Sequence, residues 1–101
     1  MSTMPEYRAW ITIPGLPIEP DEASFALHGA LERDHGELGP ILGGSAGAVQ
    51  VVLSAEAPDP ATAAGELHAA VVDSLRVAGL AHLYPSAIEL ELVDVHTSVA
   101  A

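Results

Sequence analysis

Two stretches of this chain repeat one another forty residues apart, and each has a proline where a helix would begin. Ile18-Glu19-Pro20-Asp21-Glu22-Ala23 runs into Leu27-His28, and Pro58-Asp59-Pro60-Ala61-Thr62-Ala63 runs into Leu67-His68. Proline suits a first helical position because its φ is already helical and the N–H it lacks would have no intrahelical partner there. At this offset Ala9-Trp10-Ile11 falls on Val49-Gln50-Val51, Ala30 on Ala70 and Gly39 on Gly79. Matched positions carry matched tasks: apolar strand residues, helix starts, core leucines and a terminal glycine. The 101 residues suffice for one hydrophobic core and not two, so the repeat predicts two similar halves of one domain spanning 1–101.

The elements follow from periodicity. Tyr7-Arg8-Ala9-Trp10-Ile11-Thr12-Ile13 alternates with period two and predicts a half-buried strand, which Pro14-Gly15-Leu16-Pro17 ends. A helix is expected from Pro20 to His35, with Asp21 and Glu22 at the positive end of its dipole, an apolar stripe of Ala23, Leu27, Ala30 and Leu31, and a stop near Gly36. Glu37 to Leu42 reads as a weak strand that Pro40 confines to an edge, and Gly43-Gly44-Ser45-Ala46-Gly47 as the hairpin after it. Ala48 to Ser54, dense in β-branched residues, is expected as a central strand. Asp59 as N-cap and Pro60 start the second helix, whose stripe is Ala64, Leu67, Ala70, Val71, Leu75 and Ala78 and whose end is Gly79. After the turn at Tyr84-Pro85-Ser86, Ile88-Glu89-Leu90-Glu91-Leu92 alternates cleanly as the last strand. Residues 1–6 and 97–101 are expected to fray.

The order β-α-β-β-α-β, in two βαβ halves, predicts an α+β fold of the ferredoxin-like, split-βαβ kind, with two helices on one face of a four-stranded antiparallel sheet. The first and third strands are then central. The Pro40 strand and the Glu89/Glu91 strand are edges, where proline and charge discourage unwanted pairing.

Charge narrows the function classes. Fourteen acidic residues stand against Arg8, Arg33 and Arg76, with no lysine, for a net charge of −11 spread over both halves. Such a field repels phosphate backbones and removes the term that dominates nucleic-acid binding, so no nucleic-acid partner is expected. Solubility explains the charge, with docking on a basic partner as a second reading. No cysteine is present, which excludes disulfides and thiolate chemistry. No apolar run approaches the roughly 18 residues of a membrane span, and the start shows no basic segment followed by an apolar one, so no membrane association and a cytoplasmic location are expected. Abundant alanine without lysine or asparagine points to a GC-rich bacterial genome.

Chemistry-bearing motifs are few. Gly43-Gly44-Ser45-Ala46-Gly47 matches the letters of a nucleophile elbow, but that device needs a helix after the serine and a larger sheet behind it, and here a β-rich run follows. His28, Glu32 and His35 share one helical face and form a candidate metal trio; the alternative is a solvated face on which histidine rings cover apolar surface. No catalytic set and no cofactor are expected. If Ala9, Ile11, Ile13, Val49, Val51, Leu53, Ile88, Leu90 and Leu92 face the helices, the other side of the sheet shows Arg8, Trp10, Thr12, Ala48, Gln50, Val52, Glu89, Glu91 and Val93, all but Ala48 being candidate interface residues. A tryptophan beside an arginine on an uncovered face has the composition of an interface anchor. The expectation is therefore a non-catalytic interaction or regulatory module that forms a homodimer or other homo-oligomer through this face and can dock on a larger protein. Its alternatives are a module resembling small amino-acid-binding regulatory domains, with an effector near the Pro14–Pro17 turn, and a small dimeric α+β-barrel enzyme.

Overall fold

A computed structural model describes residues 4–15, 20–45 and 48–93. The chain forms β1 (Glu6–Pro14), α1 (Pro20–His35), a 3-10 turn (Gly36–Leu38), β2 (Ile41–Ser45), β3 (Ala48–Glu56), α2 (Pro60–Val77) and β4 (Ala87–Val93). The strands make one antiparallel sheet in the order β2-β3-β1-β4, with both helices on one face, a ferredoxin-like α+β fold. Among the described residues no helix is long and apolar enough to cross a membrane.

The repeat is realised in space. Both helices begin at their prolines, and the equivalent pairs Leu27/Leu67 and Ala30/Ala70 are all buried. So are the strand equivalents Ala9/Val49, Ile11/Val51 and Ile13/Leu53. Asp59 has extended backbone angles, and its carboxylate accepts the Thr62 N–H at 2.7 Å, satisfying one of the donors that a helix start leaves free. The other end of α2 closes in a Schellman motif: Gly79 N–H donates to the Arg76 carbonyl at 3.1 Å and Leu80 N–H to that of Leu75 at 2.7 Å. Gly79 reaches the required left-handed region at φ 81°, and the buried Leu80 joins Leu75 in the core.

The core is aliphatic and lies between sheet and helices: Ile11, Ile13, Val49, Val51 and Leu53 from the strands meet Leu27, Leu31, Leu67, Val71 and Leu75. A satellite cluster joins Tyr7, Ala57 and Ala63, so Ala63 holds the buried place the spacing assigned to Ala64.

Four expectations are corrected. The second strand begins at Ile41, not Glu37: α1 ends at His35, as expected, but a 3-10 turn, Gly36–Leu38, follows it and is capped by Gly39, φ 63°. Gly39 is the residue that the forty-residue offset pairs with Gly79, and it closes the 3-10 turn that follows α1. Pro40 consequently precedes the edge strand, and Gly43, Gly44 and Ser45 lie within β2 while residues 46 and 47 fall outside the described residues. In β4, Ile88, Leu90 and Leu92 do stand opposite the inward Ile11, Ala9 and Tyr7, but only Leu90 packs on the core; Ile88 and Leu92 are 38% and 55% exposed. The helix layer covers the middle of this outer strand and not its ends. At the N-terminus β1 already begins at Glu6, and the Pro5 carbonyl accepts the Ala57 N–H at 3.1 Å, so fraying does not extend to residues 5 and 6; residues 1–3 and 97–101, also expected to fray, lie outside the described residues.

Candidate interface on the open sheet face

Antiparallel register decides which side chains share a face, because directly opposed residues point the same way. On the side away from the helices, one row crosses all four strands as Ile41–Val52–Trp10–Glu89. On one side of it runs Ser54–Arg8–Glu91, and on the other Gly43–Gln50–Thr12–Ala87. Val93, opposite Glu6, closes the face at one corner. All eight candidate interface residues, Arg8, Trp10, Thr12, Gln50, Val52, Glu89, Glu91 and Val93, lie on this face together, with Ala48 at the end of β3 beside them.

Its composition is an apolar band bordered by polar rows. Trp10 and Val52 are half-buried, and Ile41 at the β2 edge is 66% exposed. Ile41 belongs to the band and was missed from the sequence: with the strand start set at Glu37, its register against β3 was not visible. The available signal was Gly39 at the helix-terminating offset, which releases Ile41 as the first residue able to pair.

The histidines divide. His28 Nε2 lies 3.6 Å from Glu32, one helical turn on, whereas His35 leans across to α2, its Nε2 3.4 Å from Asp73. The proposed trio is therefore split between two carboxylates, and no group of three potential metal ligands is found among the described residues. Asp73 also accepts a hydrogen bond from the Arg76 guanidinium; chiefly that bond, then the one from His35, holds its carboxyl below the usual value. His68, the counterpart of His28, packs edge-on against Tyr84 with ring centroids 5.4 Å apart, a boundary histidine covering apolar surface.

Two shallow grooves flank the 3-10 turn. One, about 480 Å³, is lined by His35, Glu37, Leu38, Glu66 and Asp73, and the other, about 410 Å³, by Glu6, Glu37, Leu38, Ser54 and Glu56. Both are open and acid-lined, and neither brings a nucleophile to a base. The strand residues that point between sheet and helices are aliphatic and at most 1% exposed from Ala9 through Ile13 and Val49 through Leu53, so that interior is filled by side chains. The Pro14–Pro17 turn is described only as far as Gly15, φ 81°. Comparison with protein-family models, with curated proteins and with solved structures finds no match.

Proposed function

We propose that this protein is a non-catalytic interaction module that pairs with a second copy of itself, sheet against sheet, through the open face around Trp10. The observation that carries this reading is the Ile41–Val52–Trp10 row: a continuous apolar band on the face the helices leave bare, holding the chain's single tryptophan on a central strand. Burial of such a band against water is the main drive of association, and tryptophan flanked by polar rows is a common anchor. A twofold axis along the row stacks it on itself and lays the Ser54–Arg8–Glu91 row over Gly43–Gln50–Thr12–Ala87 of the second copy. Like charges then oppose only at Glu89, on the rim. The filled sheet–helix interior gives a barrel-type enzyme no cavity among the described strand positions, which is why the interaction reading stands ahead of it.

Analytical ultracentrifugation tests this. The native chain is expected to sediment as a dimer at micromolar concentration and Trp10→Ala as a monomer, with both keeping the same far-UV circular dichroism. A native chain that sediments as a monomer, with Trp10 fluorescence quenched freely by acrylamide, defeats the proposal.

A further inference from the structure

The sheet has two edges, and they differ. β2 is five residues long, contains Gly43 and Gly44 and packs under α1. β4 is seven residues long, pairs among the described residues with β1 alone, and exposes Ile88 and Leu92 on one face and Glu89 and Glu91 on the other. An edge strand that carries no second partner is a template for another strand. We propose that β4 takes up an extended, basic segment of another protein as a fifth, antiparallel strand.

Period-two geometry specifies that segment. Residues opposite Glu89 and Glu91 must be lysine or arginine, two apart, while those opposite Ile88, Leu90 and Leu92 must be apolar and cover the exposed side chains on the helix side. One alternating strand meets both demands. A second copy of β4 does not: centred on Leu90, antiparallel self-pairing sets Glu89 against Glu91 twice, and a slip of two residues either way sets one glutamate against itself. The net charge of −11 with no lysine further opposes self-pairing here and draws a basic segment toward the chain. The edge backbone of β4 is separate from the Trp10 band, although Glu89 and Glu91 also stand on the rim of the Trp10 face.

The test is an NMR titration of the full chain with a capped nine-residue peptide of alternating lysine and valine. A second peptide of the same composition has its lysines grouped in one block. The alternating peptide is expected to shift amides of residues 87–93 and to slow their hydrogen exchange. Glu89→Lys/Glu91→Lys is expected to weaken its binding by about tenfold or more, and so is the block arrangement on the native chain. Equal binding of the block peptide shows charge attraction without strand pairing and overturns the proposal. So do shifts centred elsewhere, no binding at millimolar peptide, or outward amides of β4 already protected before peptide is added, which would mean that the chain or a second copy occupies the edge. Glu89 and Glu91 also border the Trp10 face, so sedimentation of the same samples reports the effect of the double variant on self-association separately, and the block peptide on the native chain tests the edge without altering that face.

Discussion

Single residues record where this fold is satisfied and where it is not. Ser74 is fully buried on the core side of α2, and its hydroxyl has no hydrogen-bond partner among the described residues. A buried, unpaired hydroxyl costs about 1–3 kcal/mol, so Ser74→Ala is expected to raise stability by about 1 kcal/mol in urea unfolding. A loss instead would mean that the hydroxyl is bonded to the helix backbone. Two glycines make a matched pair in which a Cβ would meet no atom within 4 Å: Gly79 at φ 81° and Gly43 without a positive φ. Gly79→Ala is expected to cost about 1–2 kcal/mol from backbone strain alone, whereas Gly43→Ala should be neutral or stabilising. Equal effects at both sites would refute the helix-terminating role of Gly79. The sequence announced Gly79 through its place after the last apolar position, but Ser74 could not be recognised as unsatisfied, since burial without a partner is a fact of packing.

At the scale of elements, the starts were legible and some of the ends were not. Pro20, Pro60 and Asp59 act locally, through φ and the first free N–H groups, and so sequence alone locates both helices. β2 was misplaced because Glu37 to Leu42 carries no alternation strong enough to outweigh a 3-10 turn; Gly39, in the left-handed region, decides where the strand begins. The six-residue stretch 81–86, with Leu83 buried and Ser86 N–H donating to the Thr12 carbonyl at 2.9 Å, has no counterpart before β2, so the repeat fades there. Helix α2 supplies two tests. Leu67→Ala removes a fully buried side chain between sheet and helix and is expected to cost about 2–5 kcal/mol by chemical denaturation. Asp59 and Asp73 both have carboxyls held below their ordinary 3.8, Asp59 chiefly by the Thr62 N–H and Asp73 chiefly by Arg76. A depressed folded pKa adds stability that is complete above the unfolded value and is lost as pH falls through the folded one. Acid unfolding below about pH 4 should therefore be shallower in Asp59→Asn and Asp73→Asn, and an unchanged slope would show that neither contact contributes.

For the whole molecule, the repeat explains why one face is bare. Two βαβ halves related by pseudo-twofold symmetry set both helices on the same side, and the alternation of β1 and β3 then commits Trp10 and Val52 to the other. That commitment was readable from period two; the row joining them to Ile41 was not, because strand pairing is long-range and leaves no local mark. Charge acts at this scale too. Two chains of −11 repel one another over about 10 Å in 0.1 M salt, so pairing through an apolar band is expected to tighten as salt rises, the opposite of an ion-pair interface. The most direct test of the face-to-face pairing is an isotope-filtered NOE experiment on an equal mixture of labelled and unlabelled chains. The Trp10 indole of one copy is expected to show intermolecular NOEs to the Val52 and Ile41 methyls of the other. A dimer whose intermolecular NOEs arise elsewhere, or a mixture that shows none, contradicts it.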